Sequence, residues 1–272
     1  MDIWQQQWSD GHAGFEALGA SLENNSGLPG PRANLKLAEQ FAEEVMERLP
    51  DEPAWKLLME WSRRSVAEAP ANDPGEFLPF CAIQAMGACY SALSAERKKE
   101  GLSVLKEAMN DSRWRVREAA AIALQRIGEQ DFSLLEQWFG EWLEQANALE
   151  RRAFMAALAH PPLLGVREHT RFGLRLAERI LQDWAKGLPI SGKEEGRVLN
   201  KGLEYALSVM IEKEPVEGFA LMRRIAAMRD KRMDRILRAN LSKARLSKKY
   251  PIEVAEVDLL LQENPHFYDQ VE

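Results

Sequence analysis

Apolar residues recur every three or four positions along most of this chain, which is the period of an amphipathic α-helix. A simple example has Leu37, Phe41, Val45 and Leu49 spaced four apart, followed by the helix-stopping Pro50. No segment alternates apolar and polar residues for long enough to predict a β-strand. Short turns rich in Pro, Gly, Asn and Asp separate the periodic segments. The pattern predicts an all-α fold of roughly eleven or twelve helices.

The sharpest of these helices is predicted at residues 110–131. Val116, Ala120, Ala123 and Ile127 lie three or four positions apart there, so they share one face. Further alanines widen this face, and their small side chains let a second helix approach closely. A helix this rich in small apolar residues is expected to have neighbours on both sides.

Capping residues give the same helix well-defined predicted ends. Asp111 or Ser112 can accept hydrogen bonds from the first free backbone N–H groups, as N-cap side chains do. Gly128 can supply the left-handed backbone conformation that commonly ends a helix. We therefore expect the helix to start beside Asp111 or Ser112 and to end at Gly128.

These residues also resemble the second helix of a HEAT repeat, over about 20 residues of the chain. The matching positions are Asp111, Trp114, Val116, Arg117, Ala119–Ala121, Leu124, Ile127 and Gly128. In that family the aspartate closes the turn between paired helices, and the arginine bonds to neighbouring turns along the stack. The resemblance implies pairs of helices stacked into a curved solenoid. We therefore predict an α-α superhelix of five or six HEAT-like helix pairs.

One continuous solenoid domain over residues 1–272 is the expected organisation. Residues 1–33 would form an N-terminal cap and loop, and residues 250–272 an acidic C-terminal helix and tail. An echo of the central helix supports the repeat, because Arg152 follows Arg117 by 35 positions and is also followed by alanines. That offset lies in the range of helical-pair repeats.

Composition is ordinary for a water-soluble protein, with 46% hydrophobic and 29% charged residues. No apolar run approaches the ~20 residues that span a bilayer, and the first residues lack the features of a secretory signal. Cys81 and Cys89 lie eight apart on a predicted helix, where we expect two small buried side chains rather than a disulfide or a metal pair. These features favour a cytoplasmic protein without membrane association.

Charge is distributed unevenly along the chain. The net charge is −6, yet residues 191–249 contain 15 Lys and Arg against 8 Asp and Glu, a balance of +7. Residues 250–272 contain 6 acidic residues and no Lys or Arg. A mildly acidic total therefore conceals a basic block that precedes an acidic tail, and this polarity is the main functional signal in the sequence.

The centre of that block, residues 222–249, is here called the basic segment. It holds eleven Lys and Arg against two aspartates, and cations on long side chains that converge on one side are what phosphate backbones require. If its helices pack side by side, one groove would be lined by Arg224, Arg235, Arg238 and Arg245. The alternatives are an acidic protein partner, the acidic tail of the chain itself, or a solvated outer face.

Three residues at the start of the central helix extend this candidate surface. Arg113 and Arg115 flank Trp114 near the predicted turn, where they can reach a ligand, whereas Arg117 matches the structural arginine of the repeat. Five other tryptophans fall on apolar stripes, so we expect them in the core: Trp55, Trp61, Trp138, Trp142 and Trp184. Trp114 lies one residue away from its stripe.

A second, weaker resemblance is to the HEAT-like DNA alkylation repair glycosylases. It is carried by Trp114–Arg117, by the run Ala119–Ile122, and by residues 200–208, where Tyr205 stands at the second tryptophan of that family. The family's catalytic aspartate has no counterpart in the corresponding stretch, residues 81–93. A carboxylate is what the excision chemistry needs to stabilise the sugar cation, so the resemblance implies a shared shape without the reaction.

The sequence therefore predicts a non-catalytic binding scaffold whose partner is DNA or RNA. Alternatives are a diverged DNA alkylation repair glycosylase and a protein–protein adaptor, the latter with an exposed apolar groove. We identify no catalytic residue, cofactor site or metal ligand. The candidate nucleic-acid-binding residues are Arg113, Trp114, Arg115, Tyr205, Arg224, Arg235, Arg238 and Arg245.

Overall fold

A computed structural model describes residues 4, 7–8, 11–48 and 52–263. All regular secondary structure in these residues is helical, which confirms the predicted all-α class. Within the same ranges, no helix is both long enough and apolar enough to cross a membrane. The chain divides into two compact units, Met1–Asp131 and Phe132–Glu272.

The first unit contains six helices in its described part. They are α1 (Gly11–Asn24), α2 (Leu35–Arg48), α3 (Glu52–Ser62), α4 (Phe77–Ala88), α5 (Ala95–Met109) and α6 (Trp114–Gln130), and a 3-10 turn at Pro74–Glu76 precedes α4. Helices α2, α4 and α6 lie side by side, while α3 packs on α4 and α5 packs on α6. Helices that are adjacent in sequence therefore form packed pairs within this unit.

Helix α4 is the centre of the first unit because it is apolar on every side. All residues from Phe77 to Gly87 are buried, as expected of a helix that has neighbours all round. Cys81 and the following Cys89 are both buried and free, and burial raises the pKa of the Cys89 thiol to about 12. The expectation of two small buried side chains is confirmed.

Small residues set the distance between α4 and α6. A Cβ placed on Gly87 of α4 would lie 2.5 Å from the Cα of Ala123 and 2.6 Å from its carbonyl oxygen. The side chain of Gln130 also donates to the carbonyl of Gly87 at 2.9 Å. The prediction that small side chains on the central helix permit a close neighbour is confirmed.

Both predicted ends of the central helix need correction. The helix begins at Trp114 with Arg113 as N-cap and no side-chain cap bond, because the carboxylate of Asp111 instead accepts from the backbone N–H and guanidinium of Arg113. The helix also continues through Gly128 to Gln130, and Gly128 does not have a positive φ. Gly128 is a buried residue within the helix.

The second unit contains the remaining described helices. They are α7 (Phe132–Trp142), α8 (Ala148–Leu158), α9 (Arg167–Ala185), α10 (Lys193–Lys213), α11 (Pro215–Ala226), α12 (Lys231–Leu241), the short α13 (Ala244–Ser247) and α14 (Pro251–Gln262). Helices α8, α10 and α12 lie side by side, and α9, α11 and α14 form a second row that packs against them. The last residues of the predicted acidic tail, 264–272, lie outside the described residues.

A buried arginine recurs at the same place in α6 and α8. Arg117 is the fourth residue of α6 and donates to the carbonyls of Asp111 and Ser112 at 2.7 and 2.9 Å. Arg151 is the fourth residue of α8 and donates to the carbonyls of Ala146 and Leu143, both at 2.9 Å. The predicted counterpart, Arg152, was therefore wrong by one position, and the offset is 151 − 117 = 34. Each arginine reaches back over the turn before its helix because helical side chains lean towards the N-terminus.

Candidate nucleic-acid interface

Trp114 presents an open aromatic surface at the start of α6. Trp114 is 51% exposed, whereas Trp55, Trp61, Trp138 and Trp184 are buried as predicted. Trp142, which was also predicted to lie in the core, is only half-buried. The guanidinium carbon of Arg115 lies 4.5 Å from the centre of the Trp114 ring. A cation at this distance is attracted to the face of an aromatic ring. The guanidinium of Arg115 therefore contacts one face of Trp114, and the rest of the side chain is exposed to solvent.

The side chain of Arg115 is buried in the protein. This differs from the prediction that it can reach a ligand. It is 3% exposed, and its Nη1 donates to the fully buried carboxylate of Glu76 at 3.1 Å. Its Nη2 donates to the carbonyl of Gly30 and to Oδ1 of Asn72. The backbone N–H of Asn72, a residue with a φ of 67°, also donates to Glu76 at 2.7 Å. Arg115 therefore joins α6 to two loops that are distant in sequence.

Arg113 is used in the same way. It is 3% exposed, and its guanidinium donates to the carboxylate of Asp111 and to the carbonyls of Ala69 and Arg64, each of the two carbonyls at 3.0 Å. Its donors are therefore engaged with groups of the first unit. Of the three candidate residues at the start of α6, the structure leaves only Trp114 with a large exposed side chain.

Tyr205 and Arg245 form a second supported ring, in the second unit. Tyr205 is 54% exposed on α10, and the guanidinium carbon of Arg245 lies 5.1 Å from the centre of its ring. Arg245 is held there because the segment around α13 is tied to α10: Lys249 forms an ion pair with Glu212, and the Tyr250 hydroxyl donates to the Glu212 carbonyl at 3.1 Å. The Lys249 ammonium lowers the pKa of the Glu212 carboxyl. The structure thus brings together two candidate residues that are 40 positions apart in the chain.

The remaining candidates in the basic segment differ in whether they form ion pairs with carboxylates. Arg224 donates twice to Glu178, at 2.6 and 2.8 Å, and this guanidinium lowers the pKa of the Glu178 carboxyl. Arg238 donates to Asp258 at 2.8 Å. Arg235 is exposed on α12 and has no ion pair among the residues that the structure describes. Two of the four predicted groove arginines are therefore bonded to carboxylates.

Part of this neutralisation comes from the acidic C-terminal helix. Besides the bond between Arg238 and Asp258, Arg223 of α11 donates to Glu256 of α14 at 2.6 Å. Only Val257 and Leu261 of α14 are buried. Of the alternatives for the basic segment, pairing with the chain's own acidic tail is therefore present in the structure, and it uses the described part of that tail.

An arginine stripe on α9 was not predicted from the sequence. Arg167, Arg171, Arg175 and Arg179 lie four positions apart, so they share one side of the helix. Arg167 donates twice to Glu214, at 2.6 and 3.0 Å, and lowers the pKa of that carboxyl. The signal was available in the sequence, because four arginines at intervals of four residues can be counted directly.

No catalytic cluster stands out in the described part of the chain. Within residues 4, 7–8, 11–48 and 52–263, no group of three or more His, Cys, Asp or Glu is arranged to hold a metal ion. The carboxylate associated with the Trp114 site, Glu76, is fully buried and bonded to Arg115. It is not accessible to a substrate in this arrangement.

No protein-family model matches the chain, and comparisons with curated proteins and with solved structures found no match.

Proposed function

We propose that this protein is a non-catalytic scaffold of stacked, HEAT-like helix pairs that binds nucleic acid through unpaired bases. The observation that carries the proposal is the supported ring of Tyr205 on Arg245 in the second unit. A half-exposed ring fixed by a cation on one side offers its other surface to a planar partner. Aromatic platforms of this kind stack bases with little regard to sequence.

Two features support nucleic acid over a merely solvated face. A solvated face requires only charged side chains. Here, however, Tyr205 is 54% exposed and its ring is held by Arg245 of the segment around α13. Cations also lie nearby: the exposed Arg235 on the adjoining α12, and Lys201 one turn before Tyr205 on α10, where it is bonded to Glu204 at 2.9 Å. Phosphate groups on either side of a stacked base need such cations nearby.

The row formed by α8, α10 and α12 is the proposed binding face, and the basic segment contributes to it through α12 and α13. HEAT-like stacking places the second helices of successive pairs next to one another, so a strand can cross several of them. Trp114 with Arg115 would form a comparable ring platform in the first unit. The candidates Arg113, Arg224 and Arg238 act in this proposal as structural residues.

A titration against salt tests the proposal. A fluorescent single-stranded oligonucleotide is expected to bind at low salt, with an affinity that falls as the salt concentration rises, since bound cations are released on binding. Tyr205→Ala is expected to weaken binding about 10- to 100-fold, because stacking contributes about 1–3 kcal/mol per base. Tyr205→Phe keeps the ring and should bind like the wild type. Fluorescence anisotropy measures all of these affinities.

Arg197→Gln is the matched control for Arg245→Gln, since both remove one positive charge. Arg197 lies two turns before Tyr205 on α10 and is bonded to Glu194 at 2.6 Å. Arg245→Gln should weaken binding about tenfold, while Arg197→Gln should change it less than about twofold. No binding at low salt, or equal affinity of wild type and Tyr205→Ala, would contradict the proposal. Tighter binding of polyglutamate than of the oligonucleotide would indicate the acidic protein partner instead.

Releasing the basic segment from α14 is expected to strengthen oligonucleotide binding. The double variant Glu256→Gln/Asp258→Asn removes the two carboxylates that α14 places against Arg223 and Arg238, which raises the net positive charge of the basic segment and its surroundings. We expect affinity to rise about three- to tenfold at low salt, and the rise to shrink at high salt. Anisotropy again provides the measurement.

Glu253→Gln/Glu263→Gln is the control, because it makes the same change in net charge on α14 and the residue directly after it. Neither of these two acids has an ion pair among the described residues. Equal effects of the two double variants would show that overall charge, and not release of the paired arginines, governs the affinity.

A further inference from the structure

A pocket of about 250 Å³ lies between α9 and α11 in the second unit. Its walls carry Arg171, Arg175 and Glu178 from α9 and Glu217 and Arg224 from α11. Its apolar lining consists of Leu174 and Leu221, which are 3% and 1% exposed. The pocket thus has an apolar base and a charged rim. It lies between helices of the row α9, α11 and α14, whereas Tyr205 lies on α10 in the other row.

Ion pairs fix the two ends of this recess. At one end Arg167 is bonded twice to Glu214, the residue before α11. At the other end Arg224 is bonded twice to Glu178. These bonds hold α9 and α11 at a set separation, and they leave the middle of the arginine stripe to line the recess.

The two middle arginines have unused hydrogen-bonding capacity. Arg175 is exposed and has neither a hydrogen bond nor an ion pair with any residue that the structure describes. The Nε of Arg171 is shielded from solvent without a hydrogen-bond partner. It forms an ion pair with Glu214, but the distance of 3.6 Å is too long for a hydrogen bond. A shielded donor without a partner is unfavourable, so an acceptor placed between these two side chains would be stabilised.

The local charge favours an anion. Arg224 neutralises Glu178, and Arg167 neutralises Glu214, which Arg171 also approaches at 3.6 Å. The charges left around the recess are therefore those of Arg171, Arg175 and the exposed Glu217. Two positive charges against one negative leave a balance of +1. Guanidinium groups offer planar pairs of donors that match the oxygens of phosphate and carboxylate.

We propose that this pocket is a binding site for a phosphate monoester, with Arg171 and Arg175 donating to the phosphate oxygens. Its volume is below the ~300–1,000 Å³ typical of drug-sized ligands, so it suits a phosphate carrying a small substituent. The apolar base formed by Leu174 and Leu221 would contact that substituent. The site is separate from the proposed nucleic-acid interface and does not depend on it.

The test is a calorimetric titration of the full chain with inorganic phosphate and with phenyl phosphate, at constant ionic strength maintained with sodium chloride. We expect saturable binding of both, with phenyl phosphate tighter if the apolar base receives the substituent; equal affinities would identify free phosphate as the ligand. Arg175→Gln should raise the Kd at least about fivefold. Glu217→Gln removes the unpaired negative charge and should lower the Kd about two- to fivefold.

Arg179→Gln is the control, since it removes the same charge from the same arginine stripe. Arg179 lies outside the pocket and is bonded to Asp183 at 3.3 Å. It should leave the Kd within about twofold of the wild type. The opposite signs expected for Arg175→Gln and Glu217→Gln separate a specific site from a general loss of structure. Absence of saturable binding, equal effects of Arg175→Gln and Arg179→Gln, or weaker binding by Glu217→Gln would overturn the proposal.

Discussion

Replacing Arg115 with Met is expected to destabilise the protein by about 3–5 kcal/mol, the usual result of removing one partner from a buried ion pair. Glu76 is fully buried, and Arg115 is its only side-chain partner that carries a positive charge in the described structure. The substitution also removes the donors that reach the Gly30 carbonyl and Asn72. Two loops would therefore lose their attachment to α6 while a carboxylate loses its counterion.

Urea denaturation followed by circular dichroism measures this loss. Arg115→Met/Glu76→Met is the informative partner, because replacing both members of a buried pair by apolar side chains is often tolerated. We expect it to recover at least about 1–2 kcal/mol relative to Arg115→Met alone. A loss below about 1 kcal/mol for the single variant, or a further loss in the double variant, would show that the pair does not hold the first unit together.

Adding one methyl group at Gly87 is expected to have the second large effect, a loss of at least about 2 kcal/mol on substitution to Ala. The new Cβ would lie 2.5 Å from the Cα of Ala123, so backbone atoms of α6 would have to move. Flexible side chains elsewhere can yield to such an addition, whereas the backbone of a packed helix cannot. The loss would exceed the gain of about 1 kcal/mol that Ala normally gives over Gly in a helix.

Gly140→Ala provides the matched comparison. Gly140 lies in α7 and has nothing within 4 Å of the position where its Cβ would stand. The same substitution there should therefore stabilise the protein by roughly 0.5–1 kcal/mol. Thermal denaturation should give shifts in Tm of opposite sign for the two variants. A higher Tm for Gly87→Ala would mean that α4 and α6 are further apart than the 2.5 Å approach to Ala123 requires.

Periodicity alone was sufficient to predict the helical class and the small-residue contact around the central helix. The spacing of Val116, Ala120, Ala123 and Ile127 specifies a face, and small side chains specify how close a neighbour can lie. Neither property requires knowledge of residues far along the chain. Gly87, the residue that approaches Ala123 so closely, was not predicted as the partner.

The roles of the arginines could not be predicted in this way. Arg113 is buried because its guanidinium meets the Ala69 carbonyl, 44 residues away, and Arg115 because it meets the Gly30 carbonyl, 85 residues away. Arg224 meets Glu178 across 46 residues. Clustered positive charge in a sequence identifies candidates, but partners that folding brings from elsewhere decide which of them remain available to a ligand.

The two sulfhydryl groups give the molecule an internal reporter of its own opening. Both cysteines of the chain lie in the first unit, Cys81 within α4 and Cys89 directly after it, and neither is more than 2% exposed. A thiol-alkylating reagent can therefore react only after the first unit opens, and the second unit contains no cysteine. The rate of thiol modification measures the opening of one half of the chain without any engineered label.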